Sequence, residues 1–98
     1  MSKFTELNED LHDYMVERGA REDEVLAAVR EETAALGDIA VMQIAPDQGA
    51  LMTMLARLTG ARRAIEVGTF TGYSAICTAR GLGPVSYTHL TLPTNREV

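Results

Sequence analysis

The sequence predicts an α/β fold that opens with helices and reaches its first strand only past the middle of the chain. Three observations carry this. Apolar residues recur at helical spacing through the first sixty positions, interrupted by Gly19, Gly37 and Gly60. A short apolar run with β-branched residues, Ala64-Ile65-Glu66-Val67, then suits a strand buried on both faces of a parallel sheet. Gly68 and Gly72 bracket a tight turn, and Tyr73–Arg80 after it reads as a helix. A strand, a glycine turn and a helix form the first half of a βαβ unit.

Taken in order, Thr5 or Ser2 is placed to cap a first helix, with Glu6, Glu9 and Asp10 in its early turns. Leu7, Leu11, Tyr14 and Met15 make its apolar stripe, and Gly19 stops it. His12 lies off the stripe and reads as a solvated residue, since metal sites need clustered ligands. A second helix is predicted from Glu22 to Leu36, burying Val25, Leu26, Val29 and Leu36. Glu22, Asp23 and Glu24 complement the positive end of its dipole, and with Glu31 and Glu32 they read as a solvated acidic face. The segment Asp38–Ala45 has no helical period. Pro46 then opens a third helix whose packing stripe is Leu51, Met52, Leu55, Leu58 and Thr59, and Gly60 ends it. In the last helix Ile76, Cys77 and Ala79 are expected to face the sheet. Cys77 reads as small buried packing, because a nucleophilic thiol needs an adjacent base and an activating environment.

The whole-chain properties narrow the function. Ninety-eight residues allow one small domain with a modest core. An apolar fraction of 46% with 23% charged residues is that of an ordinary globular protein. The net charge of −5 argues against nucleic acid or an anionic membrane as partner. No run of about 18 apolar residues is present to span a membrane. The acidic N-terminus lacks the apolar core of a signal peptide, and the single Cys77 cannot form an internal disulfide, so the cytosol is the expected compartment.

The glycine turn is where chemistry is expected. Gly68 lets backbone approach a ligand where a Cβ would clash. Glu66 stands near the carboxyl end of the strand, where open α/β sheets bind ligands. A carboxylate there repels a diphosphate but suits a cation or a ribose hydroxyl. The phosphate-loop pattern fails, because no Lys-Ser or Lys-Thr follows Gly72, and the dinucleotide pattern fails because position 70 is Phe. The N-terminus of the following helix offers N–H groups to a ligand.

Glu66-Val67-Gly68-Thr69-Phe70-Thr71-Gly72-Tyr73-Ser74 resembles the cofactor loop of the cation-dependent O-methyltransferases of the caffeoyl-CoA and catechol type. Met42-Gln43-Ile44-Ala45-Pro46-Asp47-Gln48-Gly49 resembles the segment that precedes the helix before the first strand in that family, at the family's spacing. The resemblance implies a Rossmann-like class I methyltransferase fold, of which this chain would hold the N-terminal helices and the first βα unit. It implies S-adenosylmethionine as cofactor and a small, catechol-like hydroxyl acceptor. The site residues it implies are Ile44, Glu66, Gly68, Thr69 and Ser74. Glu66 would lie near the methionine amino end, Gly68 and Thr69 would give close backbone approach, and Ser74 would offer a hydroxyl to the cofactor carboxylate. Ile44 would shape the pocket wall, with Phe70 and Tyr73 as weaker candidates. A magnesium ion and a homodimer are expected of the full-length enzyme. The family's metal ligands and acceptor site lie outside this chain, so no catalytic or metal-binding residue is named.

The resemblance covers roughly residues 4–84, and the methyltransferase domain part is set at 1–84. Residues 85–98 depart from it: no acid follows where the family holds the ribose hydroxyls, and Glu97 comes only after Pro93. Alternation of polar and apolar residues would permit a short strand there. The segment otherwise reads as a spurious or disordered tail, like the read-through of a translated gene fragment. Two other readings are weighed. A small helical interaction module fits the first sixty residues but has no reason to contain Ala64–Ser74. A different Rossmann-like nucleotide binder is weakened by the missing glycine and lysine.

Overall fold

The computed structural model describes residues 3–83 and the backbone of the strand Tyr87–Leu90. Helix α1 spans Glu9–Met15 and is capped by Asn8, whose side-chain oxygen accepts the Leu11 amide at 2.9 Å. Thr5 therefore does not open it. Asn8 sits three positions before that amide, with Glu9 and Asp10 in the first turn, which is the better N-terminal arrangement. Nor does Gly19 stop the helix. A π-helical turn over Val16–Ala20 carries it to Arg21, which turns left-handed at φ 49°.

Helix α2, Glu24–Ala34, is capped by Asp23, whose carboxylate accepts the Leu26 amide at 3.0 Å. A 3₁₀ helix over Gly37–Met42 follows, which explains the missing 3.6-residue period in that stretch. Helix α3 runs from Pro46 to Thr59 as expected. Gly60, at φ 67°, ends it in a Schellman arrangement, with the Gly60 amide on Arg57 at 3.2 Å and the Ala61 amide on Ala56 at 3.3 Å.

Strand β1 is Arg63–Glu66, one residue earlier than its sequence pattern suggests. Helix α4, Tyr73–Leu82, crosses over to β2, Tyr87–Leu90, which pairs parallel to β1 with Arg63 opposite Tyr87 and Glu66 opposite Leu90. The chain thus closes one βαβ unit, and the strand that alternation permits in the tail does form. The expectation that β1 is buried on both faces does not hold. Ala64 and Glu66 are half-buried beneath α4, whereas Ile65 is 75% exposed and Val67 66%. Among the described residues only one face of the sheet carries a helix.

Helices α3 and α4 pack through small residues. A Cβ on Gly49 would stand 2.8 Å from the Cys77 sulfur and 2.9 Å from the Tyr73 ring. One on Gly81 would stand 2.5 Å from the Thr53 carbonyl oxygen and 2.6 Å from the Ala56 Cβ. The contact row of α3 is therefore Gly49, Thr53 and Ala56, while Leu51, Leu55 and Leu58 of the expected stripe remain exposed. On α4 the buried residues are Tyr73, Ala75, Cys77, Gly81 and Leu82, and Ala79 is exposed. The core joins Leu26 of α2 to Tyr73 and Cys77, with Val29, Ile44 and Ile76 packed around them.

Candidate functional site

The β1–α4 turn brings the two candidate polar residues together. Ser74 Oγ, on the first turn of α4, donates to Glu66 Oε1, on the last residue of β1, at 2.6 Å. Between them the backbone turns left-handed at alternate residues, with φ 79° at Gly68, 52° at Phe70 and 98° at Gly72. The Gly72 amide closes the turn on the Thr69 carbonyl at 3.0 Å. Glycine takes such angles freely, but Phe70 pays about 1–3 kcal/mol for its own, which the surrounding structure must offset. Gly72 is also the N-cap of α4 and has no side chain to cap it. A Cβ there would meet nothing within 4 Å, so open space lies against this backbone. The first amides of α4 therefore face no intrahelical acceptor, next to an anchored carboxylate.

A second cluster fixes the far side of the turn. Thr33 Oγ1 donates to Thr71 Oγ1 at 2.8 Å, and Gln43 Nε2 donates to Thr33 Oγ1 at 3.1 Å and to Thr71 Oγ1 at 3.2 Å. The two sequence motifs, far apart in the chain, thus meet in space. Ile44 is half-buried against the Leu26–Tyr73–Cys77 cluster, next to the Gln43 that reaches the turn. Gly68 and Thr69 lie in the turn itself.

Two side chains differ from their sequence reading. Tyr73, a weaker cofactor candidate, is only 2% exposed, and its hydroxyl donates to Glu22 Oε2 at 2.7 Å. Glu22 is not a freely solvated acid: Arg30 grips it with Nε at 2.9 Å and Nη2 at 2.8 Å from Oε1. The Arg30 hydrogen bonds hold the Glu22 carboxyl below its usual range against the opposing effect of burial. Burial first, and then the bond to Glu22, push the Tyr73 hydroxyl well above its ordinary value. Burial likewise raises the Cys77 thiol, in keeping with a packing role. Asp23 pairs with Arg80 at 2.7 Å, so α2 is clamped to both ends of α4. His12, expected in solvent, lies 3.4 Å from Asp47. The Tyr73–Glu22 pairing joins residues distant in sequence and has no local signal.

Tyr73→Phe should lower stability by about 1–2 kcal/mol, the net loss of a hydrogen bond to a charged acceptor, read as a shift in the urea midpoint at unchanged m-value. The folded state holds the Tyr73 proton more tightly than the unfolded chain. Its contribution is therefore complete below pH ~10 and lost as pH rises beyond it, and the variant should lack that part of the alkaline loss.

A cavity of about 910 Å³ lies between the end of the first helix, α3 and α4, where Met15, Leu51, Met54 and Leu58 line it with Arg18 and Arg57.

The profile of the O-methyltransferase family matches residues 16–97. This chain belongs to the O-methyltransferase family. The match runs past position 84, where the motif resemblance stops, and takes in β2. Among curated O-methyltransferases, a probable caffeoyl-CoA O-methyltransferase of Arabidopsis thaliana is 43% identical over 93 residues, covering 93% of this chain and 35% of its own length. Caffeoyl-CoA O-methyltransferase 1 of Zea mays is 36% identical over 92 residues, covering 92% and 35%. Of solved structures, the O-methyltransferase TomG from Streptomyces achromogenes, in complex with S-adenosylmethionine, superposes with a TM-score of 0.71 at 35% identity, covering 83% of this chain and 36% of that one. The O-methyltransferase from Bacillus cereus, in complex with S-adenosylhomocysteine, gives 0.73 at 30%, with the same coverage. The chain spans about a third of the length of the curated relatives it matches. Its architecture is the helical N-terminal part and first βαβ unit of the class I fold those structures share. No helix among the described residues is long and apolar enough to cross a membrane.

Proposed function

We propose that this chain carries the cofactor-binding start of an S-adenosylmethionine-dependent O-methyltransferase. The observation that carries the reading is the Ser74–Glu66 bond across a left-handed glycine turn at the carboxyl end of β1. The donor set fits such a cofactor. Glu66 offers a carboxylate to an ammonium or hydroxyl group, while Ser74 and the first amides of α4 suit a carboxylate. Backbone at Gly68 and Thr69 permits close approach, and Ile44 stands in the segment tied to the turn by Gln43. When bound, the cofactor supplies an electrophilic methyl group for an oxygen acceptor. This chain's residues bind and orient it.

The acceptor is a small, catechol-like hydroxyl, as the motif resemblance implies, and the relatives named caffeoyl-CoA O-methyltransferases favour one of the caffeoyl type. A magnesium ion would supply the Lewis acid that lowers the acceptor's pKa. Among the described residues no three His, Cys, Asp or Glu side chains come together to hold a metal, so none is assigned that role. A cytosolic homodimer acting on neither nucleic acid nor membrane completes the reading.

Glu66→Gln and Ser74→Ala should each weaken S-adenosylhomocysteine binding by about 1–3 kcal/mol in a calorimetric titration, the value of a charge-assisted or buried hydrogen bond. Unchanged affinity in both variants would remove the site assignment.

A further inference from the structure

The Thr33–Gln43–Thr71 cluster uses none of the residues assigned to the cofactor, Ile44, Glu66, Gly68, Thr69 and Ser74. Thr33 is 2% exposed, whereas Thr71 is exposed and Gln43 half-buried. A buried hydroxyl must donate as well as accept. Thr33 satisfies this by accepting from Gln43 and giving its proton to Thr71. Gln43 donates to both hydroxyls at once, so three segments close on one point: α2, the residues before α3, and the turn. That point directly follows Phe70, whose left-handed backbone needs an outside restraint to persist. Every contact in the cluster is a side-chain contact, so it can be removed without touching the backbone of the turn.

We propose that Thr33 and Gln43 are positioning residues that hold the Gly68–Gly72 turn in the shape that receives the ligand. What the shape is for rests on the cofactor reading above; the holding itself does not. The partners left behind by a substitution are not trapped. A cavity of about 340 Å³ borders the Thr33–Thr71 bond, lined also by Val29, Glu32 and Leu36, and it admits water to the broken cluster. Loss of the clasp should therefore loosen the turn and spare the helices.

The test is amide hydrogen exchange on the 98-residue chain and on Thr33→Val, Thr33→Ser and Gln43→Met, followed by titration of each with S-adenosylhomocysteine. Thr33→Val and Gln43→Met should speed exchange at Thr69–Gly72 about tenfold and leave α2 and α4 unchanged. Thr33→Ser, which keeps the hydroxyl, should exchange like the parent. Exchange at the turn that stays at the parental rate in both Thr33→Val and Gln43→Met overturns the proposal. So does a rise spread equally over α2, α4 and the turn, since that marks general destabilisation. If Thr33→Ser behaves like Thr33→Val, the hydroxyl is not the acting group and the proposal is likewise overturned. In the titration, ligand should protect the parental turn and bind Thr33→Val and Gln43→Met more weakly by a similar factor. Failure of the parent itself to bind contradicts the cofactor reading and leaves the exchange result to judge the clasp.

Discussion

Gly81→Val should separate α3 from α4 and unfold the helical layer. The position has no room for a side chain: even a Cβ would lie 2.5 Å from the Thr53 carbonyl oxygen and 2.6 Å from the Ala56 Cβ. The first obstacle is backbone inside α3, which cannot swing aside as a flexible side chain could. Overpacking of this kind costs about 1–3 kcal/mol for small additions, and more where backbone must move. A domain of this size has little stability to lose, since shorter chains bury a smaller fraction of their surface. The α3–α4 contact also orients Tyr73 and Cys77, the centre of the small core, so the damage should spread to α2. Loss of the cooperative urea transition in Gly81→Val is the expected result. Gly19→Ala is the matched control: nothing lies within 4 Å of its Cβ position, and it sits in a helical turn where Ala is preferred by roughly 0.5–1 kcal/mol. If Gly81→Val melts with the parent, the close packing of the two helices is not what holds this layer.

The second large effect is on binding. Gly68→Val should abolish S-adenosylhomocysteine binding and keep the far-ultraviolet helical signal. Gly68 sits at φ 79°, where a β-branched residue is strained by about 1–3 kcal/mol before any contact with ligand is counted. The turn must then shift, and with it the spacing between Glu66 and Ser74, whose 2.6 Å bond spans it. Restoring the parental turn on binding would cost that strain, a loss of about 5- to 150-fold in affinity, with steric exclusion added to it. Normal binding by this variant would place the ligand elsewhere, and the arginine-lined cavity beside α3 would be the first alternative.

Much of this was legible in the sequence because it is local. Pro46 and Gly60 mark the ends of α3, and the two motifs meet in space where Gln43 bonds Thr71 of the β1–α4 turn. Caps are local too, yet Asn8 and Asp23 compete with several neighbouring acceptors, and only the backbone geometry selects them. The stripe of α3 misleads for a different reason. Leucine spacing reports which residues are apolar, but the helices approach through Gly49, Thr53 and Ala56, where small size matters more than hydrophobicity. The one-sided cover of β1 follows from the same limit. Its composition suits burial on both faces, while the described helices lie on one. Contacts such as Tyr73 on Glu22, or Gln43 on Thr71, join distant segments and leave no periodic trace.

We propose above that the β1–α4 turn receives an S-adenosyl cofactor. This is tested most directly by titrating S-adenosylhomocysteine into the isotopically labelled 98-residue chain and following backbone amide resonances. Saturable shifts centred on Glu66, Gly68, Thr69 and Ser74, with smaller ones at Gln43 and Ile44, are the expected result. Saturable shifts confined to Arg18, Arg57 and their cavity, or no shifts at all up to millimolar ligand, would contradict it.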